Sequence, residues 1–279
     1  MNRTGPVRIG MVTGASSGIG LELCRRLARD GARVVMVARD EEKLTRAARF
    51  IAAENRGVAV SQFACDLARA GAAAALHVRV NREAEPVDFL VNNAGVGTSG
   101  RFAEADLAAE VDLLQLNIVS LVELTRLFLH DMLARRRGRI LNVASTAAFL
   151  PGPLMSVYYA SKAFVLSFSE ALAEEVQGSG VTVTALCPGP TVTGFQGRAG
   201  AEGTRLVRGP LLMQAAPVAE AGYRGALEGK RIVIPGLANK AMVQALRVLP
   251  RAVVTGMVRR VNEPIAPADA GESGNGDIS

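Results

Sequence analysis

The chain reads as an α/β protein on a doubly wound parallel sheet of about seven strands flanked by helices. Three observations lead there. Short β-branched runs alternate with longer helical stretches along the whole length. Most of the short runs are solidly apolar rather than alternating, as in strands covered on both faces. The first run passes directly into a glycine-rich turn and then a helical stretch.

Strand signals fall at 7–12, 33–37, 59–64, 88–91, 139–143, 181–186 and 231–234. Helical signals fall between them, near 18–30, 40–55, 67–80, 104–135, 157–178 and 216–228. The stretches 113–133 and 157–176 are apolar on more than one face, through residues such as Leu114, Val119, Leu121, Leu124, Phe164 and Phe168. One face of each packs on the sheet. The other needs a second cover, and a partner subunit in a homodimer or homotetramer is the expected one. Beyond 237 comes a basic, amphipathic helical extension over 238–261, interrupted by Pro250. It could pack on the domain, on a partner or on a membrane surface. The segment 262–279, rich in Gly, Pro, Ser and acids, reads as a disordered tail.

Composition narrows the class. The 279 residues are 49% hydrophobic and 21% charged, the balance of a globular chain. Trp is absent and aromatics are 4%, so the core is expected to be aliphatic. A net charge of +6 alone does not make a nucleic-acid binder, which needs a basic stripe and a binding motif. The densest basic run, Arg135-Arg136-Arg137-Gly138-Arg139, is expected at a helix end, where it complements the dipole. Cys24, Cys65 and Cys187 are far apart and show no metal or disulfide spacing, which fits a reducing, cytoplasmic setting. His77 and His130 are the two histidines, too few for a His-based metal site or a Ser-His-Asp triad, and both are expected to be solvated helix residues. A first strand within ten residues of Met1 leaves no signal peptide visible. Pro151-Gly152-Pro153 breaks the apolar stretch at 140–161, which is therefore not a membrane span.

Thr13-Gly14-Ala15-Ser16-Ser17-Gly18-Ile19-Gly20 joins the first strand to the first helix. Glycines there let the chain turn sharply and let a pyrophosphate approach the backbone, with the amide groups of the helix start facing it. The spacing is Gly-x-x-x-Gly-x-Gly, and here the chain resembles the short-chain dehydrogenase/reductase family, whose signature is Thr-Gly-x-x-x-Gly-x-Gly. The resemblance implies a Rossmann-type dinucleotide-binding and catalytic domain, expected over 1–237. Gly14, Ser16, Ser17, Gly18, Ile19 and Gly20 become cofactor-binding candidates.

The second strand ends Val37-Ala38-Arg39-Asp40. An acid at this strand end would hold the ribose 2′-hydroxyl of NAD, whereas an arginine suits the 2′-phosphate of NADP. Arg39 points to NADP; a one-residue shift would let Asp40 meet the ribose and favour NAD. By resemblance, Asp66 meets the adenine, Asn93 and Gly95 in Asn92-Asn93-Ala94-Gly95 form a wall beside the cofactor, and Thr191 and Thr193 in Pro188-Gly189-Pro190-Thr191-Val192-Thr193 meet the nicotinamide end. Asp66 is also readable as a helix N-cap, and the two roles can hold together.

Ser156-Val157-Tyr158-Tyr159-Ala160-Ser161-Lys162 carries the chemistry. Tyr158 and Lys162, four apart, share one helical face. A nearby ammonium is expected to lower the tyrosine pKa, so that Tyr158 gives or takes a proton as hydride moves at the neighbouring carbon. Tyr159 has no lysine four residues on and is expected to line the pocket or pack. By resemblance, Ser145 hydrogen-bonds the substrate oxygen and Asn117 holds a water that links Lys162 to solvent. Tyr158 and Lys162 also count among the cofactor-binding residues. The variable pocket wall is expected from 150–155 and 194–216, with Phe195, Leu206, Leu211, Leu212, Met213, Arg198, Arg205 and Arg208.

Three functions follow. The first is an NADPH-dependent reductase of a ketone, 3-oxoacyl or steroid-like carbonyl. The second is an NAD-dependent alcohol dehydrogenase acting oxidatively. The third is a non-catalytic NADP-binding regulatory protein, against which the complete Asn117, Ser145, Tyr158, Lys162 set argues.

Overall fold

The structure is a computed structural model and describes residues 6–84, 86–195, 199–200, 212–246 and 248–263. It opens with β1 (Ile9–Thr13), α1 (Gly18–Arg29), β2 (Arg33–Ala38), α2 (Glu41–Glu54), β3 (Val60–Ala64), α3 (Ala72–Glu83) and β4 (Phe89–Asn92). Next come α4 (Leu107–Leu114), a π-helical turn (Gln115–Val119), α5 (Ser120–Ala134), β5 (Gly138–Val143), α6 (Ser156–Glu175) and β6 (Val181–Leu186). The chain continues through β7 (Thr191–Val192), β8 (Met213–Gln214), α7 (Ala215–Leu227), β9 (Ile232–Val233), α8 (Leu237–Leu246) and α9 (Arg251–Asn262).

Seven strands form one parallel sheet in the order β3-β2-β1-β4-β5-β6-β9. The order reverses between β1 and β4, and the crevice at the carboxyl ends of such a switch point is where α/β sheets take ligands. The apolar runs are explained by two cores. Val12, Val34, Met36, Val91 and Leu141 point to one face, against Leu23 and Leu27 of α1, Leu44 and Ile51 of α2 and Val218 and Tyr223 of α7. Their neighbours Met11, Val35, Val37, Leu90 and Ile140 point to the other, against Leu76 of α3, Phe128 and Met132 of α5 and Leu172 of α6. Successive strand residues alternate faces, so a sheet covered on both sides needs apolar residues at every position. The edge strand β3 has one cover fewer, and of its five residues Phe63 alone is buried.

Several boundaries differ from the sequence pattern. The long helical signal at 104–135 is two α-helices joined by the π turn. The third helix starts at Ala72, because Asp66 accepts the Ala68 amide at 3.2 Å in a turn that ends at Gly71, whose φ of +76° suits glycine. Pro250 separates α8 from α9. The basic run at 135–139 does begin at a helix end, with Arg135 at the C-cap of α5 and Arg136 exposed, but it is not solvated throughout: Arg135 donates to the Val87 carbonyl at 2.9 Å, and Arg139 is buried in β5. His77 is likewise not solvated. It packs edge-on against Phe128 with ring centroids 4.8 Å apart and hydrogen-bonds Asp131 at 2.8 Å.

On α4, the π turn and α6, Leu107, Val111, Leu114, Val119 and Phe164 remain exposed, as expected of helices apolar on a second face. Among the described residues no helix is long and apolar enough to cross a membrane. Residues 264–279, where the tail is expected, lie outside the described residues.

Candidate active site

A cleft of about 370 Å³ opens at the switch point and runs from the glycine loop to the C-terminal helices. Its near end is the loop between β1 and α1. Gly14 and Gly18 have φ of +64° and +57°, a conformation side chains rarely adopt. Ser17 stands at the N-cap of α1 with no side-chain capping bond, so the first-turn amides keep their donors for another acceptor. Gly14, Ser17, Gly18 and Ile19 line the cleft. Ser16 and Gly20 do not. A Cβ at Gly20 would lie 2.5 Å from Asn93 Nδ2 and against the Gly14 carbonyl, so Gly20 packs helix to loop rather than lining a ligand space.

Asn93 binds the loop itself. Its Nδ2 donates to the Thr13 carbonyl at 2.9 Å and the Gly14 carbonyl at 3.2 Å. Thr13, absent from the expected site, is the hub beneath: its hydroxyl donates to the Val91 carbonyl and accepts the amides of Asn93 and Ala94, both at 3.0 Å. Asn93 and Gly95 both border the cleft.

The two readings of the β2 exit separate here. Asp40 caps α2, its Oδ1 accepting the Lys43 amide at 2.9 Å while Oδ2 pairs with Lys43 Nζ at 2.8 Å. These bonds hold its carboxyl below the usual carboxylate range. Arg39 is exposed beside it. Asp66 caps the turn before α3 and does not line the cleft; neither does Arg39. The β1–α1 cradle and this exposed arginine fit a dinucleotide with a 2′-phosphate.

The middle of the cleft holds Ser145, Tyr158 and Lys162. Ser145 follows β5, its hydroxyl donating to the Pro188 carbonyl at 3.4 Å and accepting the Ala147 amide at 3.1 Å. Tyr158 and Lys162 lie one turn apart on α6, with Lys162 Nζ 5.8 Å from the Tyr158 ring centre. Nζ donates to the Val143 carbonyl at 2.9 Å. Burial lowers the Lys162 pKa to about 8. The Tyr158 hydroxyl corrects an expectation: its pKa is raised, because burial disfavours the phenolate more than the hydrogen bond with Ser145 favours it. With these neighbours Tyr158 is a proton holder at neutral pH.

Asn117 sits buried in the π turn, the kind of helix irregularity that re-aims side chains at sites. Its Oδ1 accepts the Val96 amide at 3.0 Å and its Nδ2 donates to the Val96 carbonyl at 2.9 Å and to Ser161 Oγ at 3.1 Å. Ser161 in turn donates to the Tyr158 carbonyl at 2.7 Å, a bridge the motif did not reveal. A Cβ at Gly95 would meet both Asn117 Oδ1 at 3.1 Å and Lys162 Nζ at 3.5 Å, so glycine lets these two polar groups approach across it.

Thr191 and Thr193 line the next stretch, and a Cβ at Gly18 would meet Thr193 Cγ2 at 2.8 Å, which sets this segment against the glycine loop. The far wall is Leu150, Met155 and Phe195 together with side chains of α8 and α9. Of the expected wall, Leu206, Leu211, Arg198, Arg205 and Arg208 lie outside the described residues. Tyr159 packs rather than reacting: it is buried and its hydroxyl donates to Asn262 of α9 at 3.2 Å. That the C-terminal extension would reach this cleft had no signal beyond its amphipathic pattern.

The model of the short chain dehydrogenase family matches residues 8–203. The ketoacyl reductase HetN of Nostoc sp. is 36% identical over 180 residues, covering 64% of this chain and 62% of that one. The granaticin polyketide synthase putative ketoacyl reductase 1 of Streptomyces violaceoruber is 41% identical over 186 residues, covering 65% and 66%. The matched part thus spans less than two thirds of the length of either relative. A short-chain dehydrogenase from Sphingobium yanoikuyae, solved in complex with NADPH, superposes with a TM-score of 0.77 at 33% identity, over 88% of this chain and 98% of that one. The family match covers the glycine loop, the π-turn asparagine and the serine, tyrosine and lysine of the cleft, and the chain belongs to the short chain dehydrogenase family.

Proposed function

We propose that the chain is an NADPH-dependent oxidoreductase that reduces a carbonyl to an alcohol. The observation that carries this reading is the Ser145–Tyr158–Lys162 group set in one cleft with an uncapped helix start. Bound there, the cofactor would supply the hydride. The glycine loop and the α1 amides would hold its pyrophosphate, Arg39 its 2′-phosphate, and Thr191 and Thr193 its nicotinamide end. NADPH in the S. yanoikuyae relative supports the same choice. The commitment of Asp40 to the N-cap of α2 weighs against an NAD enzyme, since that carboxylate already has two partners.

Tyr158, protonated at neutral pH, would give its proton to the substrate oxygen as negative charge develops there. Ser145 would hold the same oxygen and steady the charge that develops on it. Lys162, anchored on the Val143 carbonyl, would orient the cofactor ribose and pass a proton back toward Tyr158, with the buried Asn117 across Gly95 as the next polar group on that path. The reverse reaction uses the same groups in the opposite direction. The exposed apolar residues of α4 and α6 support self-association as a homodimer or homotetramer.

The test is purified protein with NADPH or NADH and a panel of ketones and aldehydes, followed by cofactor absorbance. NADPH-driven reduction is expected. Tyr158→Phe should lower kcat by about 10²- to 10⁴-fold with cofactor binding retained; normal turnover in that variant would end the mechanism. Arg39→Ala should weaken NADPH binding roughly 10- to 100-fold and leave NADH binding unchanged. Equal losses for both cofactors would remove Arg39 from 2′-phosphate recognition.

A further inference from the structure

Past Tyr158 the cleft is walled by the two C-terminal helices, and that wall is chemically uniform. Met242 and Leu246 come from α8, and Val254, Met257, Val258 and Val261 from α9. The α9 residues recur at i, i+3, i+4 and i+7, one continuous stripe of a helix. Val254 and Val258 are buried against Ala147, Met155 and Tyr159. Met257 and Val261 line the cavity yet are 53% and 39% exposed, which puts them at its mouth. Asn262 fixes the helix in this position: buried itself, it accepts from the Tyr159 hydroxyl and donates to the Pro153 carbonyl at 2.9 Å. The two helices themselves lie after residue 203, beyond the family match.

We propose that α8 and α9 form the distal wall of the substrate pocket and select carbonyl compounds bearing an extended, uncharged apolar substituent, with Val254 and Met257 as specificity-determining residues. This rests on the carbonyl-reductase reading of the same cleft. The physical reason is transfer from water. Each methylene of the substituent that reaches the wall gains about fourfold in affinity. A carboxylate or ammonium carried to the same depth meets six apolar side chains of α8 and α9, which offer it no charged partner, and loses its hydration there.

The experiment uses the full chain with NADPH, methyl ketones from butanone to decanone, and keto acids of matching length ending in a carboxylate. Reduction is measured as kcat/KM, and binding by calorimetry to the NADP⁺-loaded protein. kcat/KM and affinity should rise about fourfold per methylene until the pocket is filled, and the keto acids should trail ketones of equal length by on the order of 100-fold. Val254→Leu should move the levelling-off point to shorter ketones. Met257→Lys, at an exposed position that tolerates a charge, should narrow the keto-acid gap by about tenfold. A flat length series, keto acids equal to ketones, or a gap unmoved in Met257→Lys would overturn the wall. Ketones that bind with the expected length dependence but are never reduced would overturn the reductase reading and leave the wall standing. Absence of both binding and reduction would overturn both.

Discussion

The two ends of the cleft are built by different forces. At the glycine loop, Thr13 and Asn93 tie β1 to β4 through five hydrogen bonds, each to a backbone group. At the C-terminal end, Leu246, Val254 and Val258 pack on Met155 and Tyr159 by apolar contact, and Asn262 adds two hydrogen bonds. Hydrogen bonds are directional and expensive to leave unmade, so they fix a loop in one position. Apolar contact is non-directional and tolerates exchange of one side chain for another of similar volume. A nucleotide cradle that serves one ligand suits the first construction, and a substrate wall that adapts to many suits the second.

That contrast can be broken where the two ends meet. Lys162 lies between them, and burial lowers its pKa from 10.5 to about 8. The folded state therefore resists protonating it. Below about pH 8 the lysine is charged in both states and the fold bears the whole penalty; as pH rises from about 8 to 10.5 the unfolded chain binds more protons and the penalty is relieved. Lys162→Met removes the group. Its urea-unfolding stability minus that of the native sequence should fall by about 3 kcal/mol across this window. The buried Cys24 and Tyr158, whose raised pKa values cost stability as pH rises, act in both proteins and cancel; Cys187, whose thiol the Lys162 charge pulls down, does not, and a Cys187→Ala background removes it from the comparison. A difference that does not change with pH would mean that Lys162 is not held in a desolvated site.

At the cradle, Gly20→Ala should destabilise the fold by about 1–3 kcal/mol and weaken NADPH binding, because the new methyl meets Asn93 Nδ2 and the Gly14 carbonyl. Thermal unfolding with and without NADPH separates the two effects. A neutral result would show that the loop yields as readily as the C-terminal wall. At the α8–α9 wall, Asn262→Ala should cost about 1 kcal/mol, read as a roughly fivefold rise in KM for long ketones with NADPH affinity unchanged. A fall in NADPH affinity instead would mean that the two ends are not independent.

Much of the cradle was legible because its determinants are local. A Gly-x-x-x-Gly-x-Gly turn between strand and helix, or a tyrosine and lysine four apart on a helix, states its geometry in its spacing. Asp40 was ambiguous for a local reason too: an acid before Glu41 can be a ribose ligand or an N-cap, and the Lys43 amide decided it. Asp66 caps its turn through one carboxylate oxygen, a role that can coexist with an adenine contact. Ser16 and Gly20 share the motif with their neighbours, yet they do not line the cleft.

From its amino acids alone this protein had a parallel α/β sheet, a turn shaped for phosphates, and the pairing of Tyr158 with Lys162. Each depends on sterics and periodicities acting within a few residues. Packing across the chain decided the rest: that Arg139 goes inside, that burial pushes the Tyr158 hydroxyl pKa up rather than down, and that Met257 and Val254 face the cleft. Those outcomes depend on which surfaces exclude water from one another, a property of segments a hundred residues apart that no local spacing records.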